Sequence, residues 1–291
     1  MNRERTDEWV TVSGLKHHLN VWDGGGSTTV LFLHGYLDLG RSWGFSIDAL
    51  GDNDWHIVAP DWRGHGDTQW IGAGGYYHFT DYVRDLEQIV RHVRRDRLVI
   101  VAHSMGAMVA TLWCGTRPDE IDGLVLVEGL GPVPVRAEDY PDRMRRWLEQ
   151  TAPYDSDKRD RPMNNVEHVE RRLERAFPRL SKYVLAETAR FATKNAADGK
   201  LRWKYDPLLT TNAPMPTLPS IAAEFWKRVT CPVLWIGGQE SPWVRPEVFQ
   251  WLDRVNDLTK RILPGVGHMV HNEASADLAS ELQEFMVQLT N

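Results

Sequence analysis

The chain has 291 residues, 42% of them hydrophobic, and a formal net charge of -6, which supplies a sizeable buried core and excludes a fibrous or disordered chain. Its acidic balance, with no basic segment interleaved with aromatics, argues against nucleic acid as a partner. No run approaches the roughly eighteen apolar residues of a membrane span, and the charged stretch Met1 to Glu8 lacks an apolar leader core, so a cytoplasmic location is expected. Cys114 and Cys231 lie far apart at positions that packing would bury, which argues against a disulfide.

Trp9 to Val12 and His17 to Trp22, separated by Ser13-Gly14, predict an N-terminal antiparallel hairpin. After Gly24 to Gly26 the pattern alternates: strand Val30 to Leu33, a helix near 41–50, strand His56 to Ala59, a helix over 79–94, strand Leu98 to Val101, a helix over 105–116 and strand Leu124 to Val127. Such alternation implies a parallel sheet and an α/β fold class. It breaks after Pro132 and resumes at Cys231 to Ile236, followed by a helix near 246–255, a strand Arg261 to Leu263 and a terminal helix Asn272 to Leu289. Residues 1–131 and 228–291 therefore read as the core, and 132–227 as an insertion. Within it Val166, Val169, Leu173, Phe177 and Leu180 recur at helical spacing with arginines and glutamates opposite, which predicts amphipathic helices that need something to cover. The insertion carries excess positive charge and the remainder excess negative charge. Pro207, Pro214, Pro216 and Pro219 predict a hinge loop that cannot be helix.

The residues able to carry chemistry gather at strand ends. Ser104 lies in Ala102-His103-Ser104-Met105-Gly106, between a strand and a helix, and small residues two before and two after it let the backbone turn tightly enough to present the side-chain oxygen. A serine capping a helix gives the same local pattern. A nucleophilic serine needs a base, and His268, after Leu263-Pro264-Gly265-Val266-Gly267, sits on another strand-to-helix loop. His271 competes for that role but reads as the start of the terminal helix. Leu31-Phe32-Leu33-His34-Gly35-Tyr36 ends a further strand at a glycine, so the N–H groups of Tyr36 and Met105 are the candidate oxyanion donors. His103 reads as a packing residue and Asp61 as a brace for its loop. His17-His18 is the one adjacent histidine pair, and strand alternation sends its rings to opposite faces, so no metal site is expected.

In chain order, His34-Gly35, Asp61-Trp62-Arg63-Gly64-His65-Gly66, His103-Ser104-Met105-Gly106 and Gly267-His268 resemble the α/β-hydrolase superfamily over nearly the whole chain. Tyr76-Tyr77, Glu128-Gly129-Leu130-Gly131-Pro132 and His268-Met269-Val270-His271 resemble its serine hydrolase-like branch. The resemblance implies a mostly parallel α/β-hydrolase sheet with an inserted helical lid above Ser104. Members that open epoxides or break carbon–halogen bonds use an aspartate nucleophile, so Ser104 points to acyl chemistry. An acid is implied after the strand Val233 to Ile236, where Gly237-Gly238-Gln239-Glu240-Ser241-Pro242 offers Glu240, or Ser241, which carries no charge. Some members carry the acid one strand earlier, where this chain has Glu128; Glu128 is the first candidate and Glu240 the alternative. Of thirteen tryptophans, Trp43, Trp62, Trp147, Trp203 and Trp243 fall on loops or the insertion and are candidates to line an apolar pocket. The implied activity is hydrolysis of a small hydrophobic ester through an acyl-enzyme, carboxylesterase or lactonase-like, with no cofactor and the oligomeric state left open. The alternatives are carbon–carbon bond hydrolysis by the same serine, and a receptor-like ligand-binding module with weak catalysis.

Overall fold

Short apolar runs rich in Val, Leu and Ile become the strands of one eight-stranded sheet: β1 Thr6–Val12, β2 Leu15–Asp23, β3 Thr28–Leu33, β4 His56–Pro60, β5 Arg97–His103, β6 Gly123–Val127, β9 Val233–Gly238 and β10 Leu258–Leu263. The computed structural model describes residues 4–131, 136–151, 161–215 and 218–290, so Pro132 and Pro216 lie outside the described residues. The strand order is β1-β2-β4-β3-β5-β6-β9-β10; β1 pairs antiparallel with β2 and β2 with β4, and all later pairs are parallel.

Parallel strands covered on both faces need apolar residues at every position, because side chains alternate between the faces. In β5, Leu98, Ile100 and Ala102 join a core with the helices α2 (Phe79–Val93) and α3 (Met105–Thr116), while Val99 and Val101 join a second core with the C-terminal helix Ser275–Gln288. From β3 the chain first adds β4 on one side and then crosses to add β5 on the other. The carboxyl ends of β3 and β5 are thus neighbours whose following loops diverge, and such a switch point opens a crevice for a ligand.

Between β6 and β9 the chain forms helix α4 (Tyr140–Thr151), α5 (Val166–Ala176) and α6 (Lys182–Phe191), a small hairpin of β7 (Thr193–Asn195) and β8 (Leu201–Trp203), and helix α7 (Pro219–Trp226). Asn165 and Ser181 cap α5 and α6 by accepting the His168 and Val184 N–H groups. The apolar stripes of α5 and α6 bury Val169, Leu173, Val184 and Leu185, joined by Leu180 from the turn between them, in a cluster that also takes in Met269, next to His268. By contrast Ala222, Ala223 and Trp226 of α7 pack into the main core against α3. Pro219 is the first residue of α7 and Pro207 the first of a short 3-10 turn, Pro207–Thr210. Neither lies in a purely irregular hinge, because proline is tolerated at the first helical position, where the N–H has no intrahelical partner.

Candidate active site

Ser104 sits at the end of β5 with φ 49 and ψ -112, a conformation rarely adopted by residues other than glycine. Its N–H bonds the Val127 carbonyl at 3.0 Å, tying the turn to the end of the next strand. Gly106 lets this sharp turn pack against β3: a Cβ there would lie 2.6 Å from the Leu33 carbonyl oxygen and 2.7 Å from that of His34. The Ser104 Oγ lies 3.2 Å from His268 Nε2, and His268 Nδ1 lies 3.0 Å from Glu128 Oε2. A ring nitrogen facing a carboxylate carries the proton, so Nδ1 holds the hydrogen and the Nε2 lone pair faces the serine hydroxyl.

The Glu128 side chain is fully buried at the end of β6, on a residue with φ 57. A carboxyl group in such a place must have its oxygens satisfied. One oxygen accepts the Gly238 N–H, and the other accepts the Ser241 hydroxyl at 2.5 Å and faces His268. Ser241, from the position where the acid was also sought, thus serves Glu128 as a donor. Glu240 points outward and pairs with Arg179 at 3.5 Å, half exposed, and is not brought to His268. The His268 loop is clamped in turn: Glu273 accepts the N–H groups of Gly267 and Met269 at 2.7 and 3.1 Å.

His103 supports the site from beneath, its Nε2 at 2.9 Å from the His268 carbonyl oxygen. Burial, with the neighbouring His271 and His268, holds it well below the usual imidazole range, so it is neutral and donates through Nε2. His271 is buried away from Ser104, its Nε2 3.2 Å from Asp38. Burial works against ionisation of Asp38, but that hydrogen bond and the nearby imidazoles hold its carboxyl below the ordinary range. Asp38, His103 and His271 place one ligand atom each within 4.8 Å of one another, and Asp38 faces His271 Nε2 at 3.2 Å. Asp61 accepts the Gly40 and Asp67 N–H groups and faces His18, bracing its loop.

Above Ser104 lies a cavity of about 620 Å³ at the β3/β5 crevice. Tyr36 and Met105 both line it, the first one residue past Gly35 after β3 and the second opening α3. The Tyr36 ring is held by its hydroxyl, which donates to the Leu209 carbonyl at 2.8 Å. Leu173, Phe177 and Leu180 supply apolar wall from above, together with Trp203 and Trp243. Trp43 and Trp62 do not line it. Trp43 is fully buried against Phe32 and His271 on the far face of the sheet, and the fully buried Trp62 donates its indole N–H to the His34 carbonyl at 2.9 Å. Trp147 packs edge-on to Tyr76 at 5.5 Å, outside the cavity wall. The sequence names Ser241 only as a place for the acid, and the structure makes it a donor to Glu128 instead; Phe177 is not assigned to the site from sequence, and the helical period that puts it on an apolar stripe is the available signal.

A strained serine at a strand-to-helix turn, backed by histidine and a buried carboxyl group at a switch point, defines a hydrolase-type site on an α/β sheet. The description of the alpha/beta hydrolase family matches residues 30–281, and the chain belongs to that family. It is 31% identical over 163 residues to a serine hydrolase-like protein of Danio rerio, covering 55% of this chain and 50% of that one, so the chain spans half the length of that relative. It is 34% identical over 118 residues to epoxide hydrolase 2 of Siraitia grosvenorii, covering 40% of this chain and 37% of that one. Among solved structures, the thioesterase domain from the curacin biosynthetic pathway superposes with a TM-score of 0.83 at 26% identity, over 96% of this chain and 99% of that one.

Proposed function

We propose that the chain is a serine hydrolase that cleaves small hydrophobic acyl esters or thioesters through an acyl-enzyme. Ser104 attacks the acyl carbon, His268 takes the hydroxyl proton and returns it to the leaving group, and Glu128 orients the ring and stabilises its charged form. The Tyr36 and Met105 N–H groups hold the developing oxyanion. Water activated by His268 then releases the acid product and restores Ser104. The observation that carries this reading is the continuous line Ser104 Oγ, His268 Nε2, His268 Nδ1, Glu128 Oε2, opening into an apolar cavity. The insertion helices act in it as a lid. Although relatives include epoxide hydrolases, the nucleophile position here holds a serine, which favours acyl transfer.

The test is intact-protein mass after reaction with a fluorophosphonate, with p-nitrophenol release from short and medium acyl esters followed in parallel. One adduct in the wild type, none in Ser104→Ala, and ester turnover lost in that variant are the expected results. No adduct and no turnover in the wild type would move the assignment to a ligand-binding module on a hydrolase scaffold.

A further inference from the structure

A second cavity, about 560 Å³, adjoins the first and is lined by Arg161, His168, Arg171, Arg172, Arg175, Trp203 and Tyr205. Arg172, Trp203 and Tyr205 line both cavities, so the two share a rim. His168, Arg171, Arg172 and Arg175 follow the i, i+3, i+4, i+7 spacing that puts them on one face of α5, opposite the stripe of Val169 and Leu173 that faces the core.

Like charges at these spacings repel in the free protein. Among the described residues the four arginines join no ion pair, and no acidic side chain lines the cavity, although Glu167, Glu170 and Glu174 lie on the same helix. Among the described residues, Arg172 Nη1 donates to the Arg161 carbonyl at 3.0 Å. His168 registers the field: some desolvation and the neighbouring Arg172, Arg171 and Arg175 hold its pKa below the ordinary value. Guanidinium forks of this density match phosphate oxygens, which accept two parallel N–H bonds per arginine. The rim is different in character, with Trp203 and Tyr205 near-parallel at 11° and 6.0 Å between ring centres. A ligand using both cavities therefore needs an apolar acyl group at Ser104, a neutral arm across the aromatic rim and several phosphate charges beyond it. An acyl phosphate would instead place its charge inside the apolar cavity, where desolvation opposes it.

We propose that the arginine cavity is the subsite for the phosphate-bearing half of the substrate, and that the substrates of Ser104 include acyl thioesters of phosphorylated pantetheine, with acyl-coenzyme A as the diffusible form. This rests on the serine hydrolase reading for its chemistry. Ser104 Oγ bonds to the acyl carbon as the carbon–sulfur bond breaks, and the serine proton passes through His268 to the departing sulfur. Water then adds to the acyl carbon as its bond to Ser104 Oγ breaks, and the water's proton passes through His268 back to Ser104 Oγ, leaving a free acid and a free thiol. The departing thiol is released from the arginine side of the rim.

The experiment compares octanoyl-coenzyme A with octanoyl-N-acetylcysteamine, the same thioester without phosphates, on wild type and on the double variant Arg171→Ala/Arg175→Ala, both positions being exposed. Losing charge-assisted hydrogen bonds to phosphate is expected to raise KM for octanoyl-coenzyme A by about tenfold or more, with kcat and the phosphate-free thioester unchanged. Equal kcat/KM for the two thioesters in the wild type, or no change in the variant, overturns the proposal. Free coenzyme A is also titrated calorimetrically into Ser104→Ala with and without the arginine changes, a readout independent of turnover. Binding that weakens with the arginine changes supports the subsite even if no ester is cleaved, in which case the serine hydrolase reading alone falls. Ester cleavage without coenzyme A binding removes the subsite and leaves the hydrolase.

Discussion

Glu128 concentrates the site's design in one residue. A carboxyl group fully buried at a strand end is tolerable only with donors around it, and the Gly238 N–H, the Ser241 hydroxyl and His268 supply them. Glu128→Gln keeps the shape and an acceptor for Gly238, but its amide N–H₂ would meet the Ser241 hydroxyl and His268 Nδ1 and favour the wrong imidazole tautomer. Turnover is expected to fall by roughly 10³–10⁴-fold with the fold retained, as replacement of a triad carboxylate does elsewhere. Glu240→Gln, at a half-exposed residue paired with Arg179, is expected to leave kcat within about twofold, since exposed pairs contribute little. Steady-state kinetics of the two variants alongside circular dichroism decides between them, and a fully active Glu128→Gln would remove Glu128 from the catalytic role. Glu128 came from the sequence as the first candidate acid through the family resemblance, and its carboxyl group lies 3.0 Å from His268 Nδ1. The role of Ser241 was not legible, since a hydroxyl donating to a residue 113 positions earlier leaves no local pattern.

At the level of elements, the site depends on how closely α3 approaches β3. Gly106 sits one helical residue past Met105, and any Cβ would drive into the Leu33 and His34 carbonyls. Gly106→Ala must therefore push the start of α3 outward, carrying the Met105 N–H away from Tyr36. A loss of about 1–3 kcal/mol in stability is expected, typical of overpacking, with a fall in the rate of fluorophosphonate labelling of Ser104. Urea midpoints together with labelling kinetics check both parts, and unchanged labelling would show that the approach of α3 does not set the oxyanion geometry. The parallel strands were readable because burial on both faces writes itself as unbroken apolar runs. The β7 and β8 hairpin was not, for its strands are three residues each and only Asp198-Gly199 marks the turn. Trp43 and Trp62 misled for a related reason. Their loops border the crevice, but a large indole gains more from the underside of the sheet or from the His34 carbonyl than from the rim.

Across the whole molecule, a file of buried imidazoles runs under the strand ends, and its protonation couples the site to global stability. Burial holds His34 and His103 below the ordinary value of 6.5 and takes His65 down to about 3. Above that ordinary value these rings are neutral in both folded and unfolded chains and contribute no pH dependence. As pH falls below it the unfolded chain takes up protons that the folded chain refuses, so acid destabilises. His18 runs the other way: burial opposes its charge, but the hydrogen bond and charge of Asp61 raise its pKa, so its contribution is present below the ordinary value and is lost as pH rises past it. The paired carboxyl groups of Asp38, Asp61 and Asp85, each held low against the opposing effect of burial, lose their contribution at still lower pH, below their ordinary 3.8. Stability is therefore expected to fall as pH drops below about 6.5, with His18 offsetting part of the loss. Urea unfolding at half-unit pH steps with a constant m-value measures this. A flat profile over that range would mean that the imidazoles are reached by protons in the folded chain, and that the packing beneath Ser104 is looser than the contacts of His103 imply.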